Sequence, residues 1–262
     1  MGVGREAGAS VTSRALRILE AFRADRPELS LSQLARSTGL PLSTSHRLAD
    51  ELVRWGALER DRRGRYRIGL RLWEIGALAP RLGLREVALP FLEDLYEATH
   101  ENVQLAVLDG VEALYVERIS GRDSVGVITR VGGRLPLHAT GVGQVLLANG
   151  DAGLREQILA GPLRAFTPKT ITSAAVLRRV LADVRLTGFA VCDGQIDLAA
   201  MSVAAGVRNA AGQVVAALSI VVRSGGCASA YVPAVRAAAS GVSRMLAAPA
   251  GVRGEQVPAR RA

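Results

Sequence analysis

Hydrophobic residues recur at helical spacing in two short segments near the N-terminus, and a glycine separates them. The first segment, residues 32–38, is followed by Gly39, which stands where the end of a helix requires a positive φ. Pro41 suits the first turn of the second helix, because its missing N–H would have no partner there. The inward positions of the two helices are predicted to be Leu34, Ala35, Leu48, Ala49 and Leu52. This pattern predicts a helix-turn-helix.

The opposite face of the second helix carries short hydroxyl side chains and one arginine. Ser43, Thr44 and Arg47 share this face near the N-terminal end of the helix, and Ser45 lies between them in sequence. Hydroxyl groups contact phosphates or base edges, and arginine binds guanine in a bidentate manner in the major groove. We therefore predict that Ser43, Thr44, Ser45 and Arg47 contact double-stranded operator DNA.

A second alternating pattern follows these helices around a tight turn at Arg63 and Gly64. The apolar positions that can face one way are Leu58, Tyr66 and Ile68. Arginines dominate the other positions and outnumber the acidic residues, which suits contact with a phosphate backbone. The pattern predicts a winged helix-turn-helix whose wing touches DNA through Arg62, Arg63 and Arg65. A solvated hairpin with a chance surplus of positive charge is the alternative.

A short segment before Pro80 is too apolar for a solvated linker. Its apolar residues are Leu70, Leu72, Trp73, Ile75, Ala77 and Leu78. The segment could pack on its own domain, but we favour packing of two copies across a dimer axis, because winged helices commonly read two half-sites as a dimer. The expected organisation is a winged helix-turn-helix at 10–69, a linker helix and dimer contact at 70–83, a second domain at 84–248, and a disordered tail at 249–262.

The second domain shows the pattern of an α/β domain with a mainly antiparallel sheet. A helix carrying Val87, Phe91, Leu92 and Leu95 comes first, and further helices are predicted at 141–148, 154–159, 174–186 and 232–246. Ser173 and Gly188 are the predicted caps of the third of these four. Strands are predicted at 103–108, 111–119, 125–129, 201–207 and 214–222. The predicted fold class of the whole chain is α+β.

Composition narrows the class of protein further. A chain of 262 residues with 49% hydrophobic content favours two cores, and its formal net charge is +9. The N-terminus lacks the apolar stretch of a signal peptide, and no apolar run reaches the ~18 residues of a membrane span, so we expect a cytoplasmic protein without a membrane partner. Cys192 and Cys227 lack C-x-x-C spacing, which argues against a disulfide framework or a structural zinc site.

The sequence offers little for catalysis. Lys169 is the single lysine and does not stand in a phosphate-binding glycine loop, and the nucleophile elbow and the zinc-protease motif are both absent. The three histidines, His46, His100 and His138, are far apart in sequence. We therefore expect no catalytic residues, no metal and no cofactor. An enzyme with an appended DNA-binding domain and a nucleoid-binding protein without a ligand are the alternatives; turnover of a metabolite would favour the first, and DNA binding that ignores sequence would favour the second.

Three segments of the second domain resemble a known family. They read Arg134-Leu-Pro-Leu-His-Ala-Thr-Gly-Val-Gly-Gln-Val-Leu-Leu-Ala148, Gly188-Phe-Ala-Val191 and Ala204-Ala-Gly-Val-Arg-Asn-Ala-Ala-Gly-Gln-Val-Val-Ala-Ala-Leu-Ser219. With the winged helix in front, the chain resembles IclR-type (isocitrate-lyase-regulator type) bacterial transcriptional regulators over about residues 10–248. The resemblance implies a GAF-like effector-binding domain, binding to an operator as a homodimer or a dimer of dimers, and a small organic acid or aromatic effector. Repression and activation both stay open.

The resemblance also implies an effector pocket. Its residues would be Thr140, Gly141, Val142 and Gly143 at the start of a helix, with Cys192, Ser202 and Ser219 across the cavity. Small residues at a helix N-terminus expose backbone N–H groups to an anion, although close packing of helix on sheet is an alternative role for the two glycines. Departures from the family pattern at Gln144, Val221 and 192–195 favour a bulkier or more apolar effector.

Overall fold

The computed structural model describes residues 10–23, 25–121 and 124–248 and divides the chain into two compact units that meet between Leu82 and Gly83. The expected tail at 249–262 lies outside the described residues. The elements of the first unit are α1 (Val11–Glu20), β1 (Glu28–Leu29), α2 (Leu31–Thr38), α3 (Leu42–Trp55), β2 (Leu58–Arg60), β3 (Tyr66–Ile68) and α4 (Leu70–Gly76).

Local capping rules explain where the helices of the first unit begin and end. Ser30 and Gln33 form a reciprocal capping box at the start of α2, and Gly39 ends that helix with φ 68°. Pro41 occupies the N-cap position before α3, and Gly56 ends α3 with φ 89°. The buried core joins the three helices to the small sheet through Ile18, Leu29, Leu34, Leu48, Ala49, Leu58 and Tyr66. The predicted helix-turn-helix is confirmed.

The wing is a three-stranded antiparallel sheet in the order β1-β3-β2. Leu58 pairs with Ile68 at its open end, and Arg60 pairs with Tyr66 next to the turn. Leu58 and Tyr66 are buried as the alternation predicts, whereas Ile68 keeps 43% of its surface exposed. The hairpin continues directly into α4, so the exposed end of the wing and the apolar linker form one continuous stretch of chain.

The second unit contains a six-stranded sheet in which every neighbouring pair is antiparallel, in the order β6-β5-β4-β9-β8-β7. The helix α5 (Pro80–Thr99) begins three residues before the boundary between the units and belongs mostly to the second. The other elements of this unit are β4 (Asn102–Asp109), β5 (Glu112–Ile119), β6 (Arg134–Pro136), α6 (Gly141–Asn149), α7 (Ala152–Ala160), α8 (Ala174–Thr187), β7 (Phe189–Asp193), β8 (Ala200–Arg208), β9 (Val214–Arg223) and α9 (Ala228–Ala247). The expected α+β class with a mainly antiparallel sheet is confirmed.

Helices cover both faces of this sheet. On one face α5 and α9 pack against alternate strand residues such as Val103, Leu105 and Val107. On the other face α6 and α8 pack against the intervening positions, which include Ala106, Ala204 and Ala217. The strands therefore read as nearly continuous apolar runs, because both of their faces are buried. Small residues on the second face allow α6 to approach the sheet closely.

The structure corrects three details of the sequence analysis. Residues 125–129 do not form a strand, because side chains bond their carbonyl groups: Asn102 Nδ2 donates to Val125 O at 2.8 Å and Arg118 Nη1 donates to Thr129 O at 2.7 Å. The edge strand is β6 instead, which pairs with β5 and was not predicted. The helix expected to follow residue 83 begins at Pro80, and the linker helix ends at Gly76.

Candidate DNA-binding surface and effector cavity

The exposed side of α3 carries three of the predicted DNA-binding side chains. Ser43 and Arg47 are exposed and Thr44 is partly exposed, all within the first two turns. No hydrogen bond or ion pair with another residue of the described chain occupies the guanidinium of Arg47. Pro41 supplies no side-chain cap, so the first N–H groups of α3 also remain available. This end of the helix therefore offers donors to an anionic partner.

Ser45 does not share that surface. Its side chain is completely buried, and its hydroxyl has no hydrogen-bond partner within the part of the chain that the structure describes. One residue along a helix rotates the side chain by about 100°, which turns Ser45 towards Leu48 and Ala49. We therefore leave Ser45 out of the proposed DNA-binding surface.

Asp61 shapes the tip of the wing. Its carboxylate accepts hydrogen bonds from the backbone N–H groups of Arg63 at 2.9 Å and Arg65 at 2.8 Å. Gly64 takes φ 78° at the turn, a conformation that other residues rarely adopt. Because Asp61 bonds the backbone, it leaves the guanidinium groups of Arg62 and Arg63 unneutralised and exposed.

The arginines of the wing differ in what they contact. Arg65 lies 3.3 Å from a carboxylate oxygen of Glu28 and donates to the Glu28 carbonyl at 2.9 Å. Arg67 binds Glu59 at 2.7 Å, and this hydrogen bond holds the pKa of Glu59 below its usual value. Arg62 and Arg63 have no comparable contact with the described residues. Of the three predicted phosphate contacts, Arg62 and Arg63 are free and Arg65 is engaged.

The linker helix α4 presents an apolar surface to solvent. Trp73 is 72% exposed and Leu78 is 83% exposed, and Leu70 and Ile75 are exposed as well. An apolar groove of about 340 Å³ runs beside this surface and is lined by Glu59, Arg67, Ile68, Gly69, Leu70 and Trp73. Large apolar side chains that cluster in water indicate an interaction surface.

A cavity of about 60 Å³ lies in the second unit between the sheet and the start of α6. Its walls come from all six strands of the sheet, from residues 126–129, from residues 139–142 and from residues 195–197. Among the residues predicted for the pocket, the structure brings together Thr140, Gly141, Val142, Cys192, Ser202 and Ser219. Gly143 does not line the cavity.

The two glycines of α6 serve different purposes. A Cβ atom on Gly141 would lie 2.7 Å from Ser202 Oγ, so the absence of a side chain here keeps the cavity open. A Cβ atom on Gly143 would lie 2.6 Å from the backbone Cα and O atoms of Leu137. Gly143 therefore meets a packing requirement, which is the alternative that the sequence left open.

Neutral donors dominate the electrostatics of the cavity. Thr140 Oγ1 caps α6 by accepting from Gly143 N at 3.1 Å, which leaves the N–H groups of Gly141 and Val142 at the positive end of the helix. Asp197 is the one charged residue among the described lining residues, and none of them is Lys, Arg or His. Any anion bound here would rest on N–H and hydroxyl groups.

Sequence reasoning missed several polar residues of the cavity. Gln104, Tyr115, Thr129 and Gln195 line it, and Gln104 Nε2 donates to Thr129 Oγ1 at 2.6 Å. Burial raises the pKa of Tyr115, and hydrogen bonding with the Thr140 side chain opposes that shift in part. The sequence contained a signal for one of these residues. Gln104 interrupts the apolar run of β4, and a buried polar side chain in a strand needs a hydrogen-bond partner.

The remaining titratable groups near the cavity do not form a catalytic set. Burial raises the pKa of Cys192 to about 12, so its thiol stays protonated at neutral pH and donates to Ala139 O at 3.1 Å. His138 Nε2 lies 3.0 Å from the carbonyl oxygen of Arg164, whereas His46 belongs to α3 of the first unit, where it pairs with Asp50. Within the described residues, no group of histidine, cysteine and carboxylate side chains could hold a metal ion, and no helix is long and apolar enough to cross a membrane.

Two protein-family models match this chain. "IclR helix-turn-helix domain" matches residues 11–62, and "Bacterial transcriptional regulator IclR C-terminal" matches residues 77–244. The chain is 34% identical to the HTH-type transcriptional regulator XynR of Escherichia coli K12 over 210 residues, which is 79% of this chain and 83% of that protein. It is 35% identical to KipR of Bacillus subtilis over 201 residues, covering 74% of this chain and 79% of that protein.

Solved structures agree with these matches. An IclR homologue from Microbacterium hydrocarbonoxydans, solved in complex with 4-hydroxybenzoate, is 39% identical and superposes with a TM-score of 0.87, covering 90% of this chain and 99% of that one. The IclR protein of Thermotoga maritima is 27% identical with a TM-score of 0.75, covering 90% of this chain and 98% of that one.

Proposed function

The chain belongs to the IclR family of bacterial transcriptional regulators, and we propose that it binds one specific operator under the control of a small aromatic or other organic acid. The family consists of regulators with a helix-turn-helix for DNA, and the chain is not an enzyme. One observation carries the proposal. Arg47 on α3 is exposed and has no ion-pair or hydrogen-bond partner for its guanidinium among the described residues, and the same holds for Arg62 and Arg63 at the tip of the wing. A nucleoid-binding protein would need no such base-reading helix.

Mapping the bound sites on the genome tests the proposal. We expect a small number of pseudo-palindromic sites whose half-sites lie about 10 base pairs apart, because a dimer places two recognition helices on one face of DNA. Occupancy of these sites should change when an aromatic acid is supplied. Uniform occupancy along the genome, with or without the acid, would favour the nucleoid-binding alternative. DNA as the partner also implies that the protein acts in the cytoplasm.

Arg47 is the proposed base-reading residue. Arg47→Ala should weaken operator binding by about 1–3 kcal/mol and relax preference at one base pair in each half-site, because a bidentate contact would be lost. A gel-shift titration with base-substituted operators measures both effects. Arg54→Ala, near the other end of α3, is the matched control, because Arg54 pairs with Glu51. Equal operator affinity of the Arg47 variant and the parent would exclude this role.

Arg63 and Arg65 of the wing differ in their contacts, although the sequence predicts a phosphate contact for both. Arg63→Ala should weaken specific and non-specific binding together and reduce the slope of log K against log salt by about 0.9, the value for one lost phosphate contact. Arg65→Ala should change that slope less, because Arg65 already binds Glu28. Titrations of one operator and one random duplex at several salt concentrations make the comparison. Equal slopes for the two variants would show that Arg65 leaves Glu28 when DNA binds.

The effector class follows from the cavity and from one relative. The start of α6 offers the N–H groups of Gly141 and Val142 to a carboxylate, while Leu135 and Val221 give the walls an apolar character. The Microbacterium homologue binds 4-hydroxybenzoate. We propose an effector with a carboxylate next to an apolar or aromatic body.

The size of the cavity adds a condition. Its volume of about 60 Å³ is smaller than the ~150 Å³ of a cavity known to hold benzene, so we expect its walls to part when a ring enters. Calorimetry with 4-hydroxybenzoate and with the uncharged 4-hydroxybenzamide tests the assignment. The acid should bind at least about tenfold more tightly, because the amide forfeits the charge that the helix end stabilises. Equal affinity would remove the carboxylate from the proposal.

A further inference from the structure

The loop between α7 and α8 contacts both walls of the effector cavity. Residues 163–171 are called the brace loop here. His138 Nε2 lies 3.0 Å from the carbonyl oxygen of Arg164, and the His138 ring packs on Phe166 with 6.3 Å between ring centroids. His138 directly precedes the cavity residues 139–142. The brace loop is therefore joined to the wall that carries the start of α6.

The same loop holds the opposite wall by two threonine hydroxyls. Residues 193–197 are called the rim here, and three of them line the cavity. Thr167 Oγ1 donates to the Gly194 carbonyl at 2.6 Å, and Thr170 Oγ1 donates to the Gln195 carbonyl at 2.6 Å. Two consecutive carbonyl groups of the rim are thus bonded by side chains of the brace loop.

Thr170 has the larger role of the two threonines. Its hydroxyl is buried and also accepts hydrogen bonds from Phe166 N at 3.0 Å and Thr167 N at 2.9 Å. One oxygen therefore shapes the brace loop and fixes the rim at the same time. A methyl group in its place would leave two partly buried N–H groups and the buried Gln195 carbonyl without this partner, which is costly away from water.

An ion pair on the outer side of the rim is the alternative candidate for the interaction that holds the rim in place. Lys169 Nζ lies 2.6 Å from Asp193 Oδ2, and Ser224 Oγ donates to Asp193 Oδ1 at 2.5 Å; together they hold the pKa of Asp193 below its usual value. Both ends of the ion pair are well exposed, however, and exposed pairs contribute little. The buried hydroxyl is the stronger restraint on the rim.

We propose that Thr170 is a positioning residue of the effector cavity, which it shapes by holding the rim against the brace loop. This inference rests on the proposed effector site. We expect the cavity to widen when a ring enters, so the strength of this hold sets how readily the rim opens and how long an effector stays. Loss of the hydroxyl should therefore raise the rate of effector dissociation.

The test compares Thr170→Val with Thr170→Ser in the full-length protein. Hydrogen exchange should show that the amides of Gly194 and Ala200, which are bonded at the base of the rim, exchange about tenfold faster in Thr170→Val. Stopped-flow dissociation of 4-hydroxybenzoate should accelerate by a similar factor, and the association rate should change less. Thr170→Ser should restore both readouts. Thr187→Val is the matched control, because the Thr187 hydroxyl bonds only the carbonyls of Asp183 in α8 and Phe189 at the start of β7, and neither belongs to the rim.

Each outcome decides the matter. Unchanged exchange at Gly194 and Ala200 in Thr170→Val would overturn the proposal, as would faster exchange with an unaltered dissociation rate. Failure of Thr170→Ser to restore exchange would show that the hydroxyl alone does not hold the rim, and would overturn the assignment of this role to the hydroxyl. If the parent protein does not bind 4-hydroxybenzoate, the proposed effector class fails separately, and the exchange measurement alone decides whether Thr170 holds the rim.

Discussion

Replacing Trp73 with glutamate is expected to convert a dimer into monomers and to weaken operator binding by at least about 100-fold. The tryptophan lies in the middle of the apolar surface of α4 and is 72% exposed, although a tryptophan normally buries most of its area. A second copy of the chain is the partner we propose for this surface, because a winged helix reads paired half-sites. When the dimer is lost, each half-site binds independently and the gain from effective concentration disappears.

Sedimentation velocity and operator titration on the same samples measure the two consequences of Trp73→Glu. Trp73→Phe is the control, since it keeps an aromatic ring at the position without adding a charge. Parent-like operator affinity in the phenylalanine variant would show that apolar contact is what matters. A dimer that survives Trp73→Glu would place the subunit contact outside α4, and the apolar surface would then need another partner.

Sequence alone predicted the elements whose ends are set by local chemistry. Gly39 and Gly188 adopt positive φ where helices end, and Ser173 caps α8 by accepting from Val176 N. Each of these features depends on a few neighbouring residues and their backbone geometry. The turn at Gly110 between β4 and β5 was predictable for the same reason.

The errors occur where distant side chains decide the outcome. Residues 125–129 have the composition of a strand, but Asn102 and Arg118 bond their carbonyl groups from two neighbouring strands. Ser45 has the chemistry of a DNA contact, yet the packing of α3 turns it inward. Such outcomes depend on residues far away in sequence, which periodicity does not reveal.

The proposed effector site was also predictable from the sequence only in part. The resemblance to the family pointed to the start of α6, and the structure brings six of the seven predicted residues to one cavity. The resemblance could not distinguish the role of Gly141 from that of Gly143, because both are small residues in the first turn of one helix. The separation comes from what faces each glycine: the end of a flexible serine side chain in one case and the backbone of Leu137 in the other.

That difference leads to opposite expectations for two similar substitutions. Gly141→Val should abolish the binding of 4-hydroxybenzoate, with a loss of at least about 100-fold, because the new side chain would occupy the cavity, where its Cβ would lie 2.7 Å from the movable Ser202 hydroxyl and 3.3 Å from Ala204 Cβ. The stability of the protein should fall little. Gly143→Val should instead destabilise the second unit by about 3 kcal/mol or more, since neither the valine nor the Leu137 backbone can move away easily.

Calorimetry with 4-hydroxybenzoate and urea unfolding followed by circular dichroism separate these two effects, each measured on both variants. Ser219→Ala provides a graded comparison: it removes one buried hydroxyl of the cavity and should weaken binding by about 1–3 kcal/mol, the value of a hydrogen bond to a charged group. Parent-like affinity in both Gly141→Val and Ser219→Ala would place the effector elsewhere in the second unit. A fully stable Gly143→Val would show that α6 can shift away from Leu137, so that its close approach to that segment is not required for folding.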